Sequence, residues 1–148
     1  MRFKMFMWVS LFLIPFVGIS QAVFLPDLSA FSKETLERAN ANLNQSFMSA
    51  EEQKVVFYMN LVRLEPQTFS KYIAKPYIAF YELNPNHYVK TLYSDLKKAK
   101  STRELAIKQD LFEVAKKHLD DIGQNGIGGH TGSKRNTFEK RVSHLLSI

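Results

Sequence analysis

Apolar residues in this chain recur at three- and four-residue spacing, and nowhere do they alternate with polar ones over the length of a strand. That pattern commits most of the chain to amphipathic helices. The clearest case opens at Ser49-Ala50-Glu51-Glu52. The Ser49 oxygen can accept from the amide three residues on while Glu52 reaches back, which makes a capping box. Val55, Met59 and Val62 then fall on one face, widened by Val56, Tyr58 and Leu61. Pro66 ends the run because it disfavours helix at Glu65. Glu51 and Glu52 are thus assigned to capping rather than to acid–base chemistry.

The same reading divides the rest of the chain. Residues 32–47 carry Leu36, Ala39, Leu43 and Phe47 at helical spacing. Pro66 suits the first turn of a short helix over 67–73. Lys75-Pro76 and Asn84-Pro85-Asn86 read as breaks. Tyr88, Leu92 and Leu96 share a face, with Val89 and Tyr93 beside them, before a charged exposed turn over 95–100. The spacing predicts a helix from about Asp110 to Ile122, with Leu111, Val114, Ala115, His118, Leu119 and Ile122 as its stripe and Gly123 as its C′ residue. Residues 124–136 hold four glycines and read as loop, and Thr137 can cap a last helix over 138–146.

Arg2 and Lys4 precede an apolar run over 5–19, followed by Ser20-Gln21-Ala22. This is the pattern of a secretory signal cleaved after Ala22. The run is shorter than the ~20 residues a bilayer core requires. The expectation is a secreted or periplasmic protein with no stable membrane anchor after cleavage. The organisation read from sequence is a signal over 1–22, a lead-in with a helix over 23–48, and one domain over 49–148. Cleavage takes the formal charge from +6 to +4 by removing Arg2 and Lys4. This excess reads as spread over a solvated surface, and no nucleic-acid-binding motif accompanies it. With no cysteine, neither a lipid anchor nor disulfides are available, and stability must come from packing.

The candidate chemistry centres on Gly129-His130-Thr131-Gly132-Ser133. Glycines on both sides let the backbone approach another group closely and expose the ring. His130 is therefore the candidate metal ligand, against the plainer reading of a loop histidine in solvent. Zinc wants three or four ligands, and His118 with Asp121 could add two, although the spacing fits no recognised zinc motif. His118 reads otherwise as a hydrogen-bonded core residue on its stripe. The glycine loop follows a helix rather than a strand, so a phosphate cradle is disfavoured and Lys134-Arg135 read as solvated. Ser133 has no evident base. Arg63 suits a helix C-terminus or a cross-helix pair, and Asn60 suits a hydrogen bond to a neighbouring backbone. His87 and His144 have no context.

Together these residues resemble a known family. Asn60, Leu61, Arg63 and Pro66 match an Asn-Leu-x-Arg-x-x-Pro pattern in bacterial members of the CAP superfamily (cysteine-rich secretory, antigen 5 and pathogenesis-related proteins). Residues 111–122 are similar to that family's second core helix. Gly129-His130-Thr131-Gly132-Ser133 followed by Arg141 matches its glycine-histidine segment. The resemblance spans about 49–142. It implies export and an α-β-α sandwich, with a cleft of two histidines and two acids that binds zinc in some members. His130 matches the first histidine. The family's Gly-Glu-Asn and second Gly-His segments have no counterpart here. The expectation is therefore an α+β fold, present as the mostly helical, N-terminal portion of a C-terminally truncated CAP-like domain. Such a portion would expose an apolar face and favour self-association or a partner that completes the fold. The leading functional expectation is a secreted binding or scaffold module whose site is incomplete. The alternatives are a metal-dependent hydrolase using His130 with His118, and an unrelated exported helical interaction protein.

Overall fold

The computed structural model describes residues 22–146. Apart from Ala22, the expected signal segment lies outside the described residues. Seven α-helices follow: α1 (Lys33–Asn40), α2 (Ala50–Leu64), α3 (Pro66–Phe69), α4 (Lys75–Phe80), α5 (His87–Lys98), α6 (Gln109–Asn125) and α7 (Phe138–Leu146). A π-helical turn, Ser70–Ala74, joins α3 to α4, and a 3₁₀ turn, Ser133–Arg135, precedes α7. None of these helices is long and apolar enough to cross a membrane.

Helix accounts for 63% of the described residues and strand for 2%, with no sheet. The strand content is one isolated bridge between Gly132 and Asn136. The expected α+β class, a partial α-β-α sandwich, is corrected on this finding: the described chain is helical. The physical reason is visible in the extended piece over 99–108, whose polar groups bond to α2 instead of to another strand. The Thr102 amide donates to the Arg63 carbonyl at 2.7 Å. The Leu105 amide donates to Asn60 Oδ1 at 2.8 Å, and Arg63 Nε donates to the Arg103 carbonyl at 3.0 Å.

The core lies under α2. Phe31, Ala39, Leu61, Leu64 and Ile73 form one buried cluster, flanked by Leu36, Phe57 and Phe69. The capping box that starts α2 is present, with Ser49 N–H donating to Glu52 and Glu52 N–H to Ser49 Oγ. Asn60 is fully enclosed, and its Nδ2 donates to the Ala39 carbonyl at 3.1 Å. One side chain thus ties α2 to the end of α1 and to the 99–108 segment.

Three boundaries differ from expectation. The first helix stops at Asn40 rather than reaching 47, because Ala41 turns extended and Asn42 takes φ 60°, a conformation asparagine tolerates better than most residues. Leu43 is still buried, carried inward by turns rather than by helix. The helix beginning at Pro66 runs through Pro76 to Phe80 instead of breaking there. The π-helical turn just upstream changes the hydrogen-bond ladder where the proline ring would meet the carbonyl of the preceding turn. The sixth helix continues past Gly123 to Asn125, and Gly126 supplies the left-handed cap at φ 60°. Its stripe is only partly covered among the described residues: Val114, His118 and Ile122 are half-buried, but α6 has no fully buried residue and Leu119 is 64% exposed.

Candidate functional site

The second half of α6 and the glycine loop build the site expected from sequence. His118 and Asp121 sit three residues apart, so they share a face of α6. The loop folds back over that face and is held there by its backbone. Asp121 accepts from the Ser133 amide at 2.7 Å and from Ser133 Oγ at 2.5 Å. His118 Nε2 meets the Gly129 carbonyl at 3.3 Å. From α7, Arg141 donates through Nη1 to the Asn136 carbonyl at 2.6 Å and through Nη2 to the His130 carbonyl at 3.1 Å. Gly132 lies at the closest approach: a Cβ there would stand 2.5 Å from Asp121 Oδ2 and 3.4 Å from His118 Nδ1. The glycine is required by this contact, since its φ of −75° is ordinary.

These bonds assign the polar groups. A carbonyl opposite Nε2 requires that nitrogen to carry a proton. The other ring nitrogen, Nδ1, is enclosed and has no hydrogen-bond partner among the described residues. Both Asp121 oxygens are engaged by Ser133. The Ser133 hydroxyl and then its amide hold the Asp121 carboxyl below its ordinary pKa, with the His118 and Arg141 charges adding smaller effects. Ser133 therefore donates to a carboxylate instead of facing a general base, and nothing activates it as a nucleophile.

His130 contributes its carbonyl to the clasp, while the residue itself is exposed. The expected set of His118, Asp121 and His130 is not assembled as ligands. Among the described residues no three His, Cys, Asp or Glu side chains form a group able to hold a metal ion. His118 and Asp121 supply two donors, short of the three or four that zinc takes. The described residues do not fit a zinc centre. The recess beside them, about 170 Å³, is lined in part by His118, Asp121, Asn136 and Arg141, and these side chains and Asn136's carbonyl hold the loop.

Asn60 makes the backbone bond its type suggested, and Arg63 pairs with the carbonyl of an extended segment rather than with another helix. His87 opens α5 with its ring 5.8 Å from Tyr88. Sequence reasoning missed a larger feature. The lead-in, the run from α3 through α4, and α5 enclose a groove of about 550 Å³ lined by Phe24, Tyr58, Phe69, Ile73, Tyr77 and Leu92 among others. Its walls are 68 residues apart at their extremes, which no local pattern links. The one available signal was the aromatic density of Tyr77, Phe80 and Tyr81 between two prolines. Comparison with family models, with curated proteins and with solved structures found no match for this chain.

The Asp121 clasp carries a pH prediction. Its folded pKa is lowered, so its contribution is complete above the ordinary aspartate value of about 3.9 and is lost as pH falls through the lowered value. The Ser133 amide resonance should follow that titration in NMR spectra. In Asp121→Asn the step should vanish. A Ser133 amide that shows no acid titration in the native chain would mean that the clasp does not form.

Proposed function

We propose that this chain is an exported binding module, and that its ligand site is the apolar groove rather than the His130 loop. The CAP-superfamily likeness over 49–142 supports the module reading and the N-terminal pattern supports export. The observation that carries the proposal is the groove's lining: all eleven residues are apolar or aromatic, and none is charged. Its volume of about 550 Å³ falls within the roughly 300–1,000 Å³ of small-molecule sites. Tyr58 and Tyr77 offer the only side-chain hydroxyls there, so orientation of a ligand would rest on few polar contacts. Such a site suits an elongated hydrocarbon ligand. The loop at Gly129-His130 serves in this reading as a braced connection between α6 and α7.

A naturally fluorescent polyunsaturated fatty acid tests the proposal. It should bind saturably, and Leu92→Asp should weaken it by at least about tenfold by placing a carboxylate in the groove. Leu92 is 42% exposed, so the substitution leaves folding largely intact. Leu119→Asp, on α6 and outside the groove, should change nothing. Absence of saturable binding, or equal loss in both variants, would reject the groove as the site.

A further inference from the structure

The basic excess is concentrated, not spread. Residues 66–100 contain Lys71, Lys75, Lys90, Lys97, Lys98 and Lys100 against Glu82 and Asp95, a net of +4. The other residues from 23 onward hold twelve basic and twelve acidic side chains, so this segment carries the entire net charge expected after cleavage. Three of its lysines meet in one place. Lys71, Lys75 and Lys97 line a recess of about 470 Å³, with Ser70 and Tyr93 among its other walls. No acidic residue lines it, and none of the three lysines takes part in an ion pair among the described residues. The recess shares no lining residue with the apolar groove.

Local structure fixes these walls. In the π-helical turn the Lys75 amide donates to the Ser70 carbonyl, five residues back, so Lys75 stands one turn above Ser70. Gln67, Ser70 and Lys71 share a face by their three- and four-residue spacing. Gln67 Nε2 donates to the Lys97 carbonyl at 3.4 Å and to the Ala99 carbonyl at 2.7 Å, which fastens the end of α5 to this helix. The Lys75 ammonium stands 5.5 Å from the centroid of the Tyr93 ring on the α5 side, and that of Lys71 lies 4.8 Å from the Tyr72 centroid. Such ring contacts hold an ammonium in place but do not neutralise it. The three like charges repel, and an anion between them relieves that repulsion.

One polar side chain at the recess is buried without a partner. Ser70 is 7% exposed, and its hydroxyl makes no hydrogen bond among the described residues. Buried hydroxyls are ordinarily bonded, and a helical serine commonly donates to a carbonyl of the preceding turn. Here that donor is left for whatever enters the recess.

We propose that this recess binds a small anion carrying two or more phosphoryl groups. One phosphoryl group carries about −1.5 to −2 at pH 7, so two match three ammoniums where one falls short. Lysine serves phosphates as a point charge, and the Ser70 hydroxyl adds a directed donor to one phosphoryl oxygen. The recess volume falls within the roughly 300–1,000 Å³ of small-molecule sites. The site goes beyond the groove reading and does not rest on it, so each can fail without the other.

Titration calorimetry of the full chain with inorganic pyrophosphate at low salt tests the proposal. One pyrophosphate per chain should bind, about tenfold or more tighter than inorganic phosphate. Citrate, a polyanion without phosphoryl groups, should bind no better than inorganic phosphate. Lys71→Gln/Lys97→Gln should abolish pyrophosphate binding. Lys108→Gln/Lys116→Gln removes the same charge elsewhere and should stay within about twofold of the native chain. Ser70→Ala should weaken binding by about tenfold and leave the urea-unfolding midpoint unchanged, because the hydroxyl holds nothing in the free chain. Absence of saturable pyrophosphate binding, citrate binding as tight as pyrophosphate, or equal loss in the two lysine pairs would overturn the proposal. So would a Ser70→Ala variant that keeps full affinity, or one whose unfolding midpoint falls, since the hydroxyl would then serve the fold.

Discussion

Asn60→Ala is expected to lower the folding stability by about 3 kcal/mol in urea unfolding. The residue is fully enclosed, and its amide makes one bond in each direction: Nδ2 to the Ala39 carbonyl and Oδ1 from the Leu105 amide. Truncation would leave a carbonyl and an amide without their partner and open a small cavity between them. An unmet buried polar group costs more than the net worth of the bond it has lost, which places this variant among the most damaging single changes. Asn60→Asp makes the bond to Ala39 depend on pH. It keeps the acceptor facing Leu105, but only its protonated form carries an O–H to donate to the Ala39 carbonyl, and it introduces a carboxyl where water is excluded. Burial raises such a group's folded pKa above its unfolded value, so the neutral form is favoured in the native state. The stability of the variant should therefore be greatest in acid and fall as pH rises through the ordinary aspartate range toward the raised value. A loss below about 1 kcal/mol for Asn60→Ala would mean that water replaces the side chain, and that α1 and the 99–108 segment are not joined through it.

Asn60 also shows how far the sequence can be read. Its type and its place on α2 indicate a side chain that bonds a backbone, but residues 39 and 105 are identified only by the fold. Features written within one turn are legible. The Ser49–Glu52 box forms as read, and the last helix spans Phe138–Leu146 with Thr137 Oγ1 accepting from the Lys140 amide. Errors arise where the answer depends on competition between neighbours. Asn42 leaves the helix although Leu43 and Phe47 continue its spacing, and Pro76 stays inside a helix because the π-helical turn accommodates it. The sandwich expected from the family likeness fails for a different reason. A short motif can recur in a helical setting without its sheet, and no alternating segment supported one here. At the glycine loop, the residues that meet were named in advance, but their roles were not. Spacing cannot show that Asp121 and Arg141 bind the loop's amide and carbonyls, leaving His130 exposed. The groove and the lysine recess were invisible because each assembles residues from separate elements.

Leu61→Ala should cost about 3–5 kcal/mol, whereas Leu119→Ala should fall within about 0.5 kcal/mol of the native chain. Both leucines lie on helical stripes of similar appearance in the sequence. Leu61 is 0% exposed in the cluster under α2, and its loss leaves a cavity that Phe31, Leu64 and Ile73 cannot collapse into without leaving their own contacts. Leu119 is 64% exposed on α6, where truncation removes little that the chain itself encloses. The pair thus measures where the core lies rather than how apolar a helix is. Protein concentration gives the comparison a second use. If Leu119→Ala cost as much as Leu61→Ala, and did so only at high concentration, the α6 stripe would be covered by another copy. Equal costs at every concentration would mean that the chain's own residues enclose α6, and that the core is larger than the cluster under α2. A large loss for Leu61→Ala alone would confirm α2 as the element on which the helical array is built, with α6 and its braced loop attached at its margin.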